Sequence, residues 1–489
     1  MSALADRTRA VLDRALAVYA GRPAPAALLR AHRDRLDGPL RVALAGTLKA
    51  GKSTLLNALV GEQIAPTGTA ECTRVVTTYR DAPSARIVAH HRDGTPPDEL
   101  PVVHRRGALV IDLAGRTGVD ELCVDWPSAS LREVTLIDTP GADSTRPGVA
   151  GRARAFLSAE EAEDAGTPGD GADVVLHLVR HLHDADVAFA ETVGEGAARG
   201  IGPAGTVAVL SRADEIGGGR LDALMTAAQV ARRYRADPGL RRHCRTVVPV
   251  SGLLVETART LRAAEFVAVR DLAALAREDV EDLLLSADRF VDGAPVPADH
   301  RARRALLDRF GVHGLRLATT LVRRGAAGTA DSAGLAAELV RRSGLDELRS
   351  VVGSQLVAHA DVFRARAALG ALERVLHEVP CGDAEGLAAA VERVRTGAHE
   401  FVEQDALVAL HARGGADEEA RRLLGGDGPA ATARLGVPPD APDTDVRGLA
   451  LDALARWRRA GEDPRAERAR TDVARVVVRS VEGILAGRT

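Results

Sequence analysis

The sequence predicts an α/β head, with a phosphate-binding loop on a mostly parallel sheet flanked by helices, plus an α-helical bundle formed by N- and C-terminal helices. Three observations predict it. Short apolar runs recur between helical stretches from residue 40 to residue 250, which is the alternation of a parallel sheet. The first run enters Gly46-Thr47-Leu48-Lys49-Ala50-Gly51-Lys52-Ser53, the G-x-x-x-x-G-K-S pattern of a loop that cradles phosphate. Strand signals stop after Gly252, and helical periodicity fills the remainder as it fills residues 4–37.

Each element follows from its pattern. In residues 4–37, Val11, Leu12, Ala15, Leu16 and Tyr19 share one helical face, with arginines and aspartates opposite. Leu40–Ala45 is a short, mostly apolar run ending in glycine, as expected of a buried strand entering the phosphate loop. Similar strands are predicted at 134–137, 174–178, 206–210 and 247–250, with an added strand pair at 85–91 and 121–127. Residues 159–171, rich in Glu, Asp, Gly and Ala, read as a mobile loop. Helices are expected at 254–287 and 301–323, around a Gly/Pro break at 292–297. Ser343-Gly344-Leu345-Asp346-Glu347-Leu348 has the acidic first turn of a helix start. Further helices are expected near 354–378, 384–411, 444–459 and 465–486. The division that results is 1–37 as N-terminal helices packing into the bundle, 38–353 as the head with a helical insertion at about 257–335, and 354–489 as a C-terminal helical bundle forming a neck or short stalk.

Composition narrows the function classes. A net charge of -3 and a pI of about 6.6 leave no electrostatic footprint for nucleic acid. Aromatics are only 2%, so the core must be built from Leu, Val and Ala. No apolar run approaches the ~18 residues of a membrane span, and the first residues lack the apolar region of a signal peptide. Cys72, Cys123, Cys244 and Cys381 are far apart, consistent with reduced thiols in a cytoplasmic protein. Any membrane role is expected to be peripheral. The 65 basic residues include only two lysines, Lys49 and Lys52. Both lie in the phosphate loop, where a bias toward arginine has spared them.

The chemistry is carried by four stretches. Gly46, Thr47, Leu48, Lys49, Ala50 and Gly51 present backbone to phosphate, Lys52 supplies a point charge, and Ser53 supplies a hydroxyl for Mg²⁺. Thr54 continues this contact into the helix. Asp138-Thr139-Pro140-Gly141 follows an apolar strand, so that Asp138 can hold Mg²⁺ through water and the Gly141 N–H can sense the γ-phosphate. Alone this would be a common turn, and its position after a phosphate loop gives it meaning. Ser211-Arg212-Ala213-Asp214 follows another strand. It departs from the guanine-reading N/T-K-x-D at two places, with Arg212 able to stack on the base and Asp214 able to accept from guanine N1 and N2. Adenine is the competing base, and a helix-capping aspartate the competing role. Ser251-Gly252, after the last strand, fits a backbone loop around the guanine oxygen. Between the first two stretches, Thr73 is the first choice for a threonine closing over Mg²⁺, and Thr69 the second.

Together these stretches resemble the bacterial dynamin-like GTPases, in particular the mycobacterial isoniazid-inducible type. G-T-L-K-A-G-K-S-T-L-L-N-A-L-V-G, A-P-T-G-T-A-E-C-T-R-V-V-T, D-T-P-G, L-S-R-A-D-E-I-G and V-V-P-V-S-G-L-L carry the likeness, which extends through Arg342-Ser343-Gly344-Leu345 and Arg434-Leu435-Gly436. The resemblance implies GTP hydrolysis with Mg²⁺, nucleotide-dependent head dimerisation and membrane remodelling at the inner face of the plasma membrane. Two departures matter. Leu48 stands where dynamins carry a catalytic glutamine, and Ala142 follows Gly141 where small GTPases carry theirs. Lys49 holds the place of an arginine finger in some relatives, so Lys49, Lys52 and Thr73 are the expected catalytic set. Lipid contact is expected at Val379-Pro380-Cys381-Gly382 or at Trp457-Arg458-Arg459-Ala460-Gly461, on a single bundle. The alternative is a GTP-binding regulatory partner of a longer dynamin-like paralogue, with weak hydrolysis and no direct membrane action.

Overall fold

The computed structural model describes residues 2–47, 49–66, 75–91, 95–105, 108–113, 116, 118–140, 171–180, 202–293, 299–325, 329–412, 417–463 and 467–487. The strands are β1 (Leu40–Gly46), β2 (Val76–Asp81), β3 (Arg86–His91), β4 (Asp98–Leu100), β5 (Val103–Arg105), β6 (Ala108–Val110), β7 (Val119–Trp126), β8 (Val134–Asp138), β9 (Val174–Val179), β10 (Thr206–Leu210) and β11 (Thr246–Pro249). Nine of them form one sheet in the order β11-β10-β9-β1-β8-β2-β7-β3-β4. From β11 to β8 every neighbour is parallel. β9 and β10 are buried along their whole length, as suits mostly apolar strands in the middle of a parallel sheet. β3 and β7 pair antiparallel, the expected added pair. β2 was not expected. It inserts between β8 and β7, but Val-Thr-Thr-Tyr-Arg-Asp carries too few apolar residues to read as a central strand.

The stretch expected as one helix over 254–287 is divided into Gly252–Arg259, Ala263–Ala274, Arg277–Leu283 and the start of Ala287–Asp292. Side-chain caps make two of these starts. Ser251 accepts from the Leu254 N–H, and Ser286 accepts from the Arg289 N–H. With helices His300–Arg323 and Ser332–Arg341 they bury a core around Leu272, Phe290, Phe310 and Leu335.

Helices Ala3–Val18 and Pro23–Arg35 share a core with Ala360–Glu378 and Ala384–Gly397, through Leu12, Tyr19, Leu29, Leu369 and Leu387. The C-terminal part does not stop at one bundle. Helices His399–Ala412, Glu418–Leu423, Asp443–Glu462 and Arg468–Leu485 close a second core around Leu407, Leu424, Trp457 and Val477. The two cores meet along His399–Ala412, whose Phe401 belongs to the first and whose Leu407 belongs to the second. Trp457–Gly461 is therefore no distal loop. It lies inside a helix, with Trp457 only 5% exposed.

The bundle grips the sheet at the end where the parallel strands begin. Arg35 donates to the Asp173 carboxylate at 2.5 Å, one residue before β9, and Arg364 donates to the Gly38 carbonyl just before β1. At the start of β11, buried Arg245 donates to the Ala204 and Gln355 carbonyls and to the Gln404 side chain, which ties the sheet to the second core.

Candidate nucleotide site

The site forms at the opposite end, where β1 turns into the phosphate loop. Gly46 has φ +149, and a Cβ there would stand 2.5 Å from the Leu178 carbonyl oxygen on β9. Only glycine lets these strands stay adjacent as the chain leaves the sheet. Gly51, at φ 92, starts the helix Lys52–Val60. Lys49 also adopts the left-handed region, at φ 63, with its side chain exposed. The buried Lys52 ammonium donates to the carbonyls of Gly46 and Thr47 at 3.0 and 3.1 Å.

Asp138, at the end of β8, meets this loop. Ser53 Oγ donates to Asp138 Oδ2 at 2.8 Å, while Asp138 Oδ1 is buried with no hydrogen-bond partner. Burial raises the Asp138 carboxyl above its ordinary pKa, against the opposing pull of Lys52 and Ser53. A buried carboxylate oxygen beside a serine hydroxyl is a donor set of hard oxygens, and it fits Mg²⁺ bound by a few protein oxygens and a phosphate. Thr139 is turned back into the sheet, its hydroxyl donating to the Leu44 carbonyl at 2.8 Å.

The cleft beside the loop is built from the ends of β10 and β11. Ala50, Gly51 and Thr54 line one cleft of about 170 Å³ together with Ser211, Arg212, Asp214 and Gly252. Ser251 is not on its wall. It is fully buried and donates through Oγ to Asp214 Oδ1 at 2.6 Å, orienting the carboxylate. Gly252 packs so closely that an added Cβ would lie 3.0 Å from Thr54 Cγ2. The Arg212 guanidinium, expected to stack on the base, instead donates to Glu215 at 2.7 Å and to the Lys49 carbonyl at 3.1 Å. Leu48, Thr69, Thr73, Gly141 and Ala142 lie outside the described residues.

Sequence reasoning missed three supporting residues. Glu215 is held by Arg180 at 2.6 Å, so an Arg180–Glu215–Arg212 chain reaches the phosphate loop. The only sequence signal is the glutamate after Ser-Arg-Ala-Asp. Asn57 accepts from the Ile64 and Ala65 N–H groups at 3.0 and 2.8 Å. It fixes the chain just before residues 67–74, and its signal is a lone polar residue in Leu-Leu-Asn-Ala-Leu.

Comparison with known proteins agrees with this geometry. The Dynamin family profile matches residues 42–185. The chain is 40% identical over 502 residues to the isoniazid-induced protein IniC of Mycobacterium tuberculosis, covering 98% of each chain. It is 40% identical over 124 residues to the isoniazid-induced protein IniA of the same organism, covering 23% of this chain and 19% of that one. It is 31% identical over 127 residues to the bacterial dynamin-like protein of Nostoc punctiforme, covering 24% of this chain and 18% of that one. A relative 40% identical and matched over 98% of each chain, with the Dynamin family profile over the sheet that carries the phosphate-loop pattern, places this chain in the dynamin family, among the bacterial dynamin-like GTPases.

Proposed function

We propose that the chain binds GTP with Mg²⁺, hydrolyses it, and couples nucleotide-dependent pairing of heads to peripheral work on a membrane. One observation carries the reading. The Ser53–Asp138 pair, with an unpartnered buried oxygen, sits beside Gly51 and Thr54, which line a cleft together with Asp214. Gly46 to Thr54 wrap the phosphates, Lys52 offsets their charge, and Asp214 accepts from the guanine edge. Mg²⁺, when bound by Ser53 and Asp138 with Thr73 closing over it, supplies neutralisation of the β- and γ-phosphates. With Leu48 and Ala142 in the two glutamine positions, Lys49 is the residue placed to stabilise developing negative charge once heads pair.

A second reading has its own support. Arg458, within an expected lipid-binding tip, pairs with Glu482 at 2.7 Å, and Arg456 just before it pairs with Glu419 at 2.5 Å. The Val379 and Pro380 carbonyls are held by Tyr19 and Arg22. Both candidate tips make contacts within the chain, and these contacts are the support for reading it as a GTP-binding partner of a longer dynamin-like protein. The test combines phosphate release with GTP and Mg²⁺, over a range of protein concentrations, and flotation with anionic liposomes. Specific activity that rises with concentration, with flotation, supports the remodelling GTPase. Weak turnover without flotation supports the partner role, and no binding of guanine nucleotide overturns both.

A further inference from the structure

Arg342-Ser343-Gly344-Leu345 has no part in the chemistry above, yet Ser343 and Leu345 are fully buried. This stretch closes the helical insertion and returns the chain to the head. The Ser343 carbonyl accepts from the Ser251 N–H at 2.8 Å. Gly344 has φ +82, and a Cβ there would stand 2.1 Å from the Pro249 carbonyl oxygen. Only a residue without a side chain lets these backbones meet. Leu345 packs with Ala58 of the phosphate-loop helix and Val255 of helix Gly252–Arg259. Arg349 donates to the Ala58 and Leu59 carbonyls, both at 3.3 Å, where a cation suits a helix C-terminus. One short segment is therefore braced against the base loop on one side and the phosphate-loop helix on the other.

Base reading depends on that brace. Ser251 Oγ donates to Asp214 at 2.6 Å and accepts from the Leu254 N–H at 3.3 Å. Its own backbone N–H is meanwhile held by the Ser343 carbonyl. A pair of hydrogen bonds from Asp214 to a base edge is lost by small displacements, whereas phosphate binding is spread over many N–H groups. We propose that Ser343 and Gly344 are specificity-determining positioning residues. They fix Ser251, and through it Asp214, so that discrimination between bases depends on them more than phosphate affinity does. This rests on the guanine-nucleotide reading above.

The test uses the full chain as wild type, Gly344→Ala and Ser343→Ala. Dissociation constants for GDP, inosine diphosphate, ADP and tripolyphosphate are measured by displacement of a fluorescent nucleotide, with thermal melting as the check on folding. Inosine lacks the 2-amino group, so the GDP to inosine diphosphate ratio reads one hydrogen bond to Asp214, worth about tenfold to a hundredfold. In Gly344→Ala this ratio is expected to collapse toward one, with tripolyphosphate affinity within about twofold of wild type. Ser343→Ala removes the hydroxyl that donates to the Val340 carbonyl and accepts from the Leu345 N–H, and is expected to lower the ratio severalfold. A folded Gly344→Ala with the wild-type ratio overturns the proposal. If Gly344→Ala does not fold, an unchanged ratio in Ser343→Ala overturns it instead. Wild-type protein without preference for GDP over inosine diphosphate and ADP would sink the guanine reading itself, a separate outcome.

Discussion

Replacing Lys49 by glycine and, separately, by alanine divides its backbone role from its charge. Lys49 sits at φ 63, a region that costs an ordinary residue about 1–2 kcal/mol. Its carbonyl accepts from Arg212 at 3.1 Å. A hydrogen bond to a charged group contributes about 1.5–3 kcal/mol when buried, but the Arg212 side chain is 38% exposed, which cuts that to about 1 kcal/mol. Strain and tether thus nearly cancel. Lys49→Gly should relieve about 1 kcal/mol of strain present with or without nucleotide, raising the melting temperature and leaving nucleotide affinity within about twofold of wild type. Lys49→Ala keeps the strain and should stay within about twofold of wild type in affinity. If the ammonium stabilises transition-state charge, both variants lose turnover equally. The loss should be about 10–100-fold, below the 10³–10⁵ of an arginine finger because lysine has no bidentate fork. The assay is phosphate release at protein concentrations where specific activity has levelled off, with affinities from fluorescent GDP. Turnover that differs between the two variants assigns the effect to the backbone and refutes the charge argument, as does wild-type turnover in both.

Three further outcomes are expected. Burial lowers His177 and His359 from 6.5 to about 4. The unfolded chain therefore takes up protons between those values that the native chain does not, and stability present above pH 6.5 is lost as pH falls toward 4. At pH 5.5 each histidine accounts for about 1–2 kcal/mol, so melting temperature should fall from pH 7.5 to 5.5 and fall less in His359→Gln; equal slopes would contradict the assignment. Asp173, only 1% exposed, accepts from Arg35 and from the Arg41 N–H. Asp173→Ala should cost about 3–5 kcal/mol in urea unfolding, and a loss under 1 kcal/mol would show that the tie between bundle and sheet is weak. Gly46→Ala forces a Cβ to within 2.5 Å of the Leu178 carbonyl. It should weaken nucleotide affinity more than tenfold and lower the melting temperature, and retained affinity would show that β1 and β9 can part without harm.

The central strands were legible because they are buried, so their runs are mostly apolar, broken only by single residues such as Arg41, Thr135 and His177. β2 was not, since four of its six residues are Thr, Arg or Asp, although Thr77 and Thr78 are buried. The phosphate, aspartate and base motifs were legible because each is a local strand-to-loop turn. What joins them was not. The Ser251–Ser343 bond and the Arg180–Glu215–Arg212 chain link residues far apart in sequence, and the left-handed turn at Lys49 leaves no trace in its residue type. The Trp457 stretch was misread although Ala450, Ala453, Leu454 and Trp457 are spaced for one buried helical face. The arginine run drew attention away from that spacing.

The scarcity of lysine gives the site an address of its own. Of the two lysines, Lys52 is only 9% exposed and engaged with loop carbonyls, whereas Lys49 is exposed. Reagents that acylate or reductively methylate primary amines therefore meet, apart from the chain's amino terminus, a single accessible target, and it lies at the nucleotide cleft. One isotope-labelled methyl pair on Lys49 would report nucleotide arrival and head pairing without any engineered cysteine. By the same logic, enzymatic acylation of lysine, which on most proteins is spread over the surface, would on this chain act as a modification of the phosphate loop.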